Sequence, residues 1–96
     1  MAKSILQAEK DECFICGSRL WLEEHHVFGG FGRRKLSEKY GLKVYLCHYH
    51  HNEPPMGVHY NAKIREALQR YAQTKAMEHY HWTVDDFRSI FGKNYL

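Results

Sequence analysis

The spacing of apolar residues changes character at Asn61. Beyond it, Ile64, Ala67, Leu68, Tyr71 and Ala72 recur at i, i+3, i+4, i+7 and i+8. That period predicts a helix with one buried stripe, running to about Tyr80. Thr83 with Asp86 three residues later resembles a capping box that uses Asp for the usual Glu. A short second helix is expected from there through Phe91, with Gly92 as a suitable C′ residue. Before Asn61 the apolar runs are shorter. Trp21-Leu22 to His26-Val27 and Leu42 to Cys47 read as two strands, and Gly29, Gly30 and Gly32 predict a loop between them. A short helix begins at Cys47 and stops at Pro54-Pro55, because proline lacks the backbone donor and restricts the residue before it. Residues 1–12, rich in Lys and Glu, read as a short helical or frayed lead-in. The expected order is knuckle, hairpin, short helix, and then helices packed against that module.

At 96 residues the chain is expected to form a single domain, since two cores of half that length would each fold poorly alone. A hydrophobic fraction of 44% with 26% charged residues argues for a folded, soluble chain rather than a disordered one. No apolar run approaches the roughly 18 residues of a membrane span. Met1 to Gln7 meets a charged stretch before it can become a signal-peptide core, so the expected setting is the cytoplasm, without membrane insertion. A net charge of +3 permits a nucleic-acid partner without showing one. Eight histidines and three cysteines are the unusual feature. An odd cysteine count fits a closed disulfide framework poorly, and thiols with many imidazoles read as a metal-binding inventory. All three cysteines and six of the histidines lie within residues 13–60.

Cys13-Phe14-Ile15-Cys16-Gly17 is a zinc-knuckle half-site, with Gly17 placed where such a turn needs a positive φ. Cys47 and His50 repeat the same spacing and complete a Cys3His sphere for a structural zinc. Two other readings compete: small buried hydrophobes, or a redox pair, although no thioredoxin-like pattern surrounds the cysteines. His25, His26, His48, His51 and His59 are left over. Zinc would pin the helix bearing His51 against the hairpin bearing His25 and His26. Imidazoles from distant positions would then meet, as a second, catalytic metal site requires. On a regular strand His25 and His26 point to opposite faces, so both can serve one site only if the strand ends or bends there.

Cys-x-x-Cys-Gly, then Glu24-His25-His26-Val27 with Gly-Gly shortly after, then Leu46-Cys47-His48-Tyr49-His50-His51-Asn52, resembles the HNH (His-Me finger, ββα-metal) endonucleases. It is most similar to the small zinc-stabilised ones of phages and prophages. The resemblance covers about residues 13–60 and implies an α+β fold: a treble-clef ββα-metal core, here with C-terminal helices added. It implies that His25 and His51 hold a catalytic divalent metal and that His26 is the general base. The family's middle Asn falls on Leu42, and its further helix ligand falls on Pro55, with His59 the nearest substitute.

The implied activity is metal-dependent DNA cleavage, with one divalent ion (Mg, Mn, Ni or Zn) beside a neutral imidazole that takes a proton from water. Imidazole ligands suit Mg least. Arg33, Arg34 and Lys35 in the connecting loop can grip flanking phosphates, or form an ordinary solvated loop. Tyr40, Tyr45 and Tyr49 are expected to pack in the core or on the hairpin. The Ile64–Tyr80 helix is expected to be scaffold or the surface of a homodimer. The rival readings are a non-catalytic zinc-finger DNA-binding or adaptor protein, and a degenerate nuclease that binds DNA without cutting.

Overall fold

The computed structural model describes residues 3–96 and contains two strands and four helices. Strands β1 (Leu22–His26) and β2 (Lys43–Cys47) form one antiparallel pair in the register Leu22↔Cys47, Glu24↔Tyr45, His26↔Lys43. Successive side chains on a strand alternate between faces. Glu23 and His25 therefore share one face of β1, while Glu24 and His26 share the other with their cross-strand partners Tyr45 and Lys43.

The connection between the strands corrects the expected loop, because it carries helix α1 (Arg33–Tyr40). Gly30 and Gly32, at φ 95° and 81°, turn the chain after β1. The eight residues that follow contain neither Gly nor Pro, and Gly41 ends the helix in the left-handed conformation at φ 73°. An eight-residue helix is marginal alone and depends on tertiary anchors. One is the buried Ser37 hydroxyl, which accepts from the Phe28 amide at 3.1 Å and donates to the Phe28 carbonyl at 2.9 Å. Arg33, Arg34 and Lys35 accordingly sit in the first turn of a helix, not in a loop.

The described part of the lead-in, from residue 3, forms turns rather than a helix. Residues 1 and 2 lie outside the described residues. Ile5 donates to the Gly41 carbonyl at 2.9 Å, and the Gln7 side chain accepts from the Tyr45 amide at 2.8 Å. Leu6 is buried beneath this strap. Phe14 donates to the Tyr45 carbonyl at 2.8 Å, so the outer edge of β2 is satisfied by the strap and the knuckle together.

Three helices follow: α2 (His48–Asn52), α3 (Ala62–Tyr80) and α4 (Val84–Phe91). Asn61 caps α3, and Thr83 with Asp86 forms the reciprocal capping box of α4, which ends at Gly92 in the left-handed conformation. The buried stripe of α3 is rotated from the expected one: Leu68, Ala72 and Ala76 are buried, whereas Ala67 and Tyr71 are exposed. Ala67 and Tyr71 border an apolar groove with Phe14 and Ile15. Tyr40 packs against Tyr80 and Trp82 at ring-centroid distances of 5.4 and 4.9 Å, and Tyr45 is half-buried against Glu24. Tyr49, expected to pack, is 49% exposed. Among the described residues no helix is long and apolar enough to cross a membrane.

Phe28, Phe87 and Phe91 join α4 to the end of β1, with ring centroids 5.4 and 5.0 Å from Phe28. Phe28 is 1% exposed. Phe28→Ala should therefore destabilise the protein by about 3–5 kcal/mol, read as a lower urea midpoint at unchanged slope. A shift below about 1 kcal/mol would mean that the C-terminal helices contribute little to the core around β1.

Candidate metal centres

Two local turns build the first centre. Cys13 to Gly17 closes through Gly17 donating to the Cys13 carbonyl at 2.9 Å, with Gly17 at φ 78°. The Ile15 amide points at the Cys13 sulfur, 3.4 Å away. The second turn is the junction of β2 and α2, where Cys47 caps the helix and His50 lies three residues on. Cys13, Cys16, Cys47 and His50 each place one ligand atom within 4.8 Å of the others. The Cys16 and Cys47 sulfurs are 3.8 Å apart, and His50 Nδ1 lies 3.3 Å from Cys47 Sγ and 4.0 Å from Cys13 Sγ. A tetrahedral ion with bonds of about 2.3 Å to sulfur requires ligand separations of about 3.8 Å, so the donors and their spacing both fit. Burial pushes the Cys13 thiol up, but the backbone amides around it outweigh burial and leave it below the ordinary thiol value. Cys47 is held above that value by burial and by the neighbouring thiols. Opposed shifts are expected when the first thiolate discourages the next, a conflict that a bound cation relieves. This Cys3His cluster can hold a metal such as zinc.

The second group unites residues far apart in the chain. His25 from β1, His51 from α2 and His59 from the turn before α3 also bring their ligand atoms within 4.8 Å. His51 and His59 approach at 3.0 Å between their Nε2 atoms, and the His25 ring centroid is 5.1 and 5.2 Å from theirs. Burial, and then the charges of His51, His59 and His26, lower the His25 pKa to about 3. His25 is therefore a neutral imidazole at physiological pH, the form that binds a metal. His59 is delivered by a reversal after α2, where Val58 donates to the His50 carbonyl at 2.8 Å. Gly57 permits that reversal, since a Cβ there would meet the Glu53 backbone at 2.8 Å.

Glu23 supports this group. Its carboxylate faces His51 Nδ1 at 2.7 Å, His48 Nδ1 at 2.8 Å and Asn52 Nδ2 at 2.8 Å. The bonds from His48, His51 and Asn52 hold it below the usual carboxylate value. A carboxylate on Nδ1 fixes the ring and leaves His51 Nε2 turned to its partners. His48 itself is exposed, bridging Glu23 and Glu53, and is not among the three converging imidazoles. Period-two alternation places Glu23 on the face of His25, and that was the available sequence signal for it.

His26 faces the other way. Its Nε2 lies 2.9 Å from Glu38 Oε1 and 3.5 Å from Glu24 Oε1. The buried Lys43 ammonium binds the same two carboxylates, at 2.9 Å from Glu38 and 3.2 Å from Glu24. Hydrogen bonds from His26 and then Lys43 keep Glu38 ionised below its ordinary value. Burial opposes the Lys43 charge, and the two carboxylates outweigh it. Leu42, at the position where the resembled family has Asn, is wholly buried in the core. Glu38, on the unforeseen helix α1, is the side chain that holds His26 here.

No family model, curated protein or solved structure matches the chain.

The geometry nevertheless gives the two histidine environments a common space. β1 ends at His26, and the chain turns away at Gly29 and Gly30. A cleft of about 240 Å³ is lined by Glu24, His25, His26, Gly29, Arg34, His51 and His59. A group of imidazoles that could hold a metal, a hydrogen-bonded imidazole and a guanidinium therefore border one opening. Of the three basic residues expected at phosphates, Arg34 lines this cleft, Arg33 lines the neighbouring one, and Lys35 lines neither.

Proposed function

We propose that the protein is a metal-dependent DNA endonuclease of the HNH type, hydrolysing phosphodiester bonds. In this reading Cys13, Cys16, Cys47 and His50 hold a structural zinc within a treble-clef ββα core. The observation that carries it is the convergence of His25, His51 and His59 on a cleft that His26 also lines. Imidazoles able to hold a metal, beside an imidazole outside their group, suit water-mediated phosphodiester hydrolysis.

His25, His51 and His59 would hold the catalytic divalent ion, which when bound polarises the scissile phosphate and stabilises charge on the leaving oxygen. His25 contributes a neutral donor, and Glu23 keeps His51 oriented. His26 donates from Nε2 to Glu38, which leaves its Nδ1 lone pair to accept a proton from water. The Glu38 carboxylate then stabilises the resulting imidazolium, so the orienting task of the absent Asn passes to α1. Arg34 adds positive charge at the cleft for the phosphate.

Plasmid nicking by the purified protein, with Mg, Mn, Ni or Zn against a chelator control, tests the reading. Nicking that requires an added divalent ion is expected. DNA binding without nicking under any of these metals would favour the non-catalytic zinc-finger or degenerate-nuclease reading. A second expectation concerns Glu23. Glu23→Ala should weaken binding of the second metal by roughly 10–100-fold while the tightly held zinc stays, measured by metal titration of the zinc-loaded protein. Unchanged affinity would remove Glu23 from the site.

A further inference from the structure

Four cations from separate stretches of chain converge on a second cleft beside the histidines. Arg33 comes from the first turn of α1, Arg65 and Arg70 from α3, and Lys93 from the segment after α4. They line a hollow of about 440 Å³ in which Glu66 is the one carboxylate. That leaves three positive charges in excess, as many as the whole chain carries net. Among the described residues none of the four forms an ion pair.

Their contacts fix direction without neutralising charge. Arg33 Nε donates to the Phe91 carbonyl at 3.1 Å, and Arg65 Nη1 donates to the Val58 carbonyl at 3.2 Å. Lys93 lies 5.1 Å from the centroid of the Tyr95 ring. Unpaired cations concentrated in a polar concavity create a local potential for anions. The hollow also adjoins the histidine cleft. Gly29 lines both, and an added Cβ there would meet nothing within 4 Å. Arg65 anchors to the residue before His59, so the cations begin where the histidines end.

We propose that this second cleft seats the sugar-phosphate backbone of a DNA strand on one side of the phosphate held at the histidines. The inference rests on the nuclease reading for what lies at the histidines, and on its own cations for what lies in the hollow. A row of charge that spans two adjoining clefts suits a polyanion rather than one small phosphate. Arginine and lysine on phosphate oxygens position a strand without reading its bases, so affinity here carries little sequence preference. It is strongly salt-dependent, because each neutralised phosphate releases counterions.

The test is fluorescence anisotropy of the zinc-loaded full chain with labelled duplex and single-stranded DNA over a salt series, without added catalytic metal. Arg70→Ala/Lys93→Ala removes two cations that hold no carboxylate. Lys75→Ala/Arg88→Ala removes the same charge from outside the hollow, at residues paired with Glu78 and Asp85. The cleft variant should bind roughly tenfold or more weakly, with the slope of log K against log salt reduced by about 2. The control should stay near wild type, and the two DNA forms show which one the hollow takes. Equal weakening by both variants would reduce the effect to net charge and overturn the inference. Absence of binding by the wild type to either form would overturn it too. Loss of binding by the cleft variant, in a protein that never nicks DNA, would uphold the cleft and defeat the nuclease reading. Nicking by the wild type with undiminished binding by the cleft variant would do the reverse.

Discussion

Cys47→Ser should yield protein that neither retains zinc nor folds. Cys47 is buried where β2 passes into α2, and it faces Cys16 and His50 across the proposed zinc sphere. An ion bound there would tie the knuckle, the end of β2 and the first turn of α2 together. Metal binding in such sites is worth on the order of 10–16 kcal/mol, against a total stability of about 5–15 kcal/mol for a small domain. Removing one thiolate gives up much of the first quantity, and the remainder of this small core cannot replace it. Cys13→Ser should behave alike. Far-UV circular dichroism and elemental analysis of the soluble fraction are the measurements. Less than about half a zinc per chain in well-folded wild-type protein would defeat the idea. His51→Ala supplies the control: it should keep the zinc, because Glu23 and His59 place its ring in the other group. Loss of zinc from that variant would mean that His50 and His51 exchange roles.

Much of the site's local chemistry was legible because it follows from short-range geometry. Cys13 with Cys16, and Cys47 with His50, sit at spacings that one turn closes on its own. Thr83 with Asp86 is likewise a signal contained within four residues. The opposed directions of His25 and His26 followed from strand alternation. What escaped was set by contacts between distant residues. Gly30 and Gly32 look like loop residues, yet they are the entry turn of α1, whose stability comes from Ser37 bonding Phe28. Missing that helix hid Glu38, and with it the pairing of His26 and Lys43. Nothing local in the sequence marked Lys43, whose burial against two carboxylates makes it structural. Ala67 and Tyr71 fit the helical period, but the knuckle's Phe14 and Ile15 occupy their side of α3 and leave it open as a groove. The basic hollow joins residues 33 and 93, which no window of sequence contains.

His26→Ala should lower DNA cleavage by roughly 10²–10⁴-fold, about 3–5 kcal/mol of barrier, while sparing the zinc, the second metal and DNA affinity. The ring bonds to Glu38 and approaches Glu24, and it is absent from the group formed by His25, His51 and His59. In the proposed reading its removal takes away the proton acceptor and leaves the group of His25, His51 and His59 in place. Folding should survive, since Lys43 continues to pair with both carboxylates. His25→Ala should also stop cleavage, but through loss of a buried neutral ligand, so excess metal should partly restore it. Titrating both variants with metal while following nicking separates the two roles. If metal rescues His26→Ala and leaves His25→Ala inactive, the base and ligand assignments are reversed. If both variants cleave like the wild type, the histidine cleft is not where the reaction occurs.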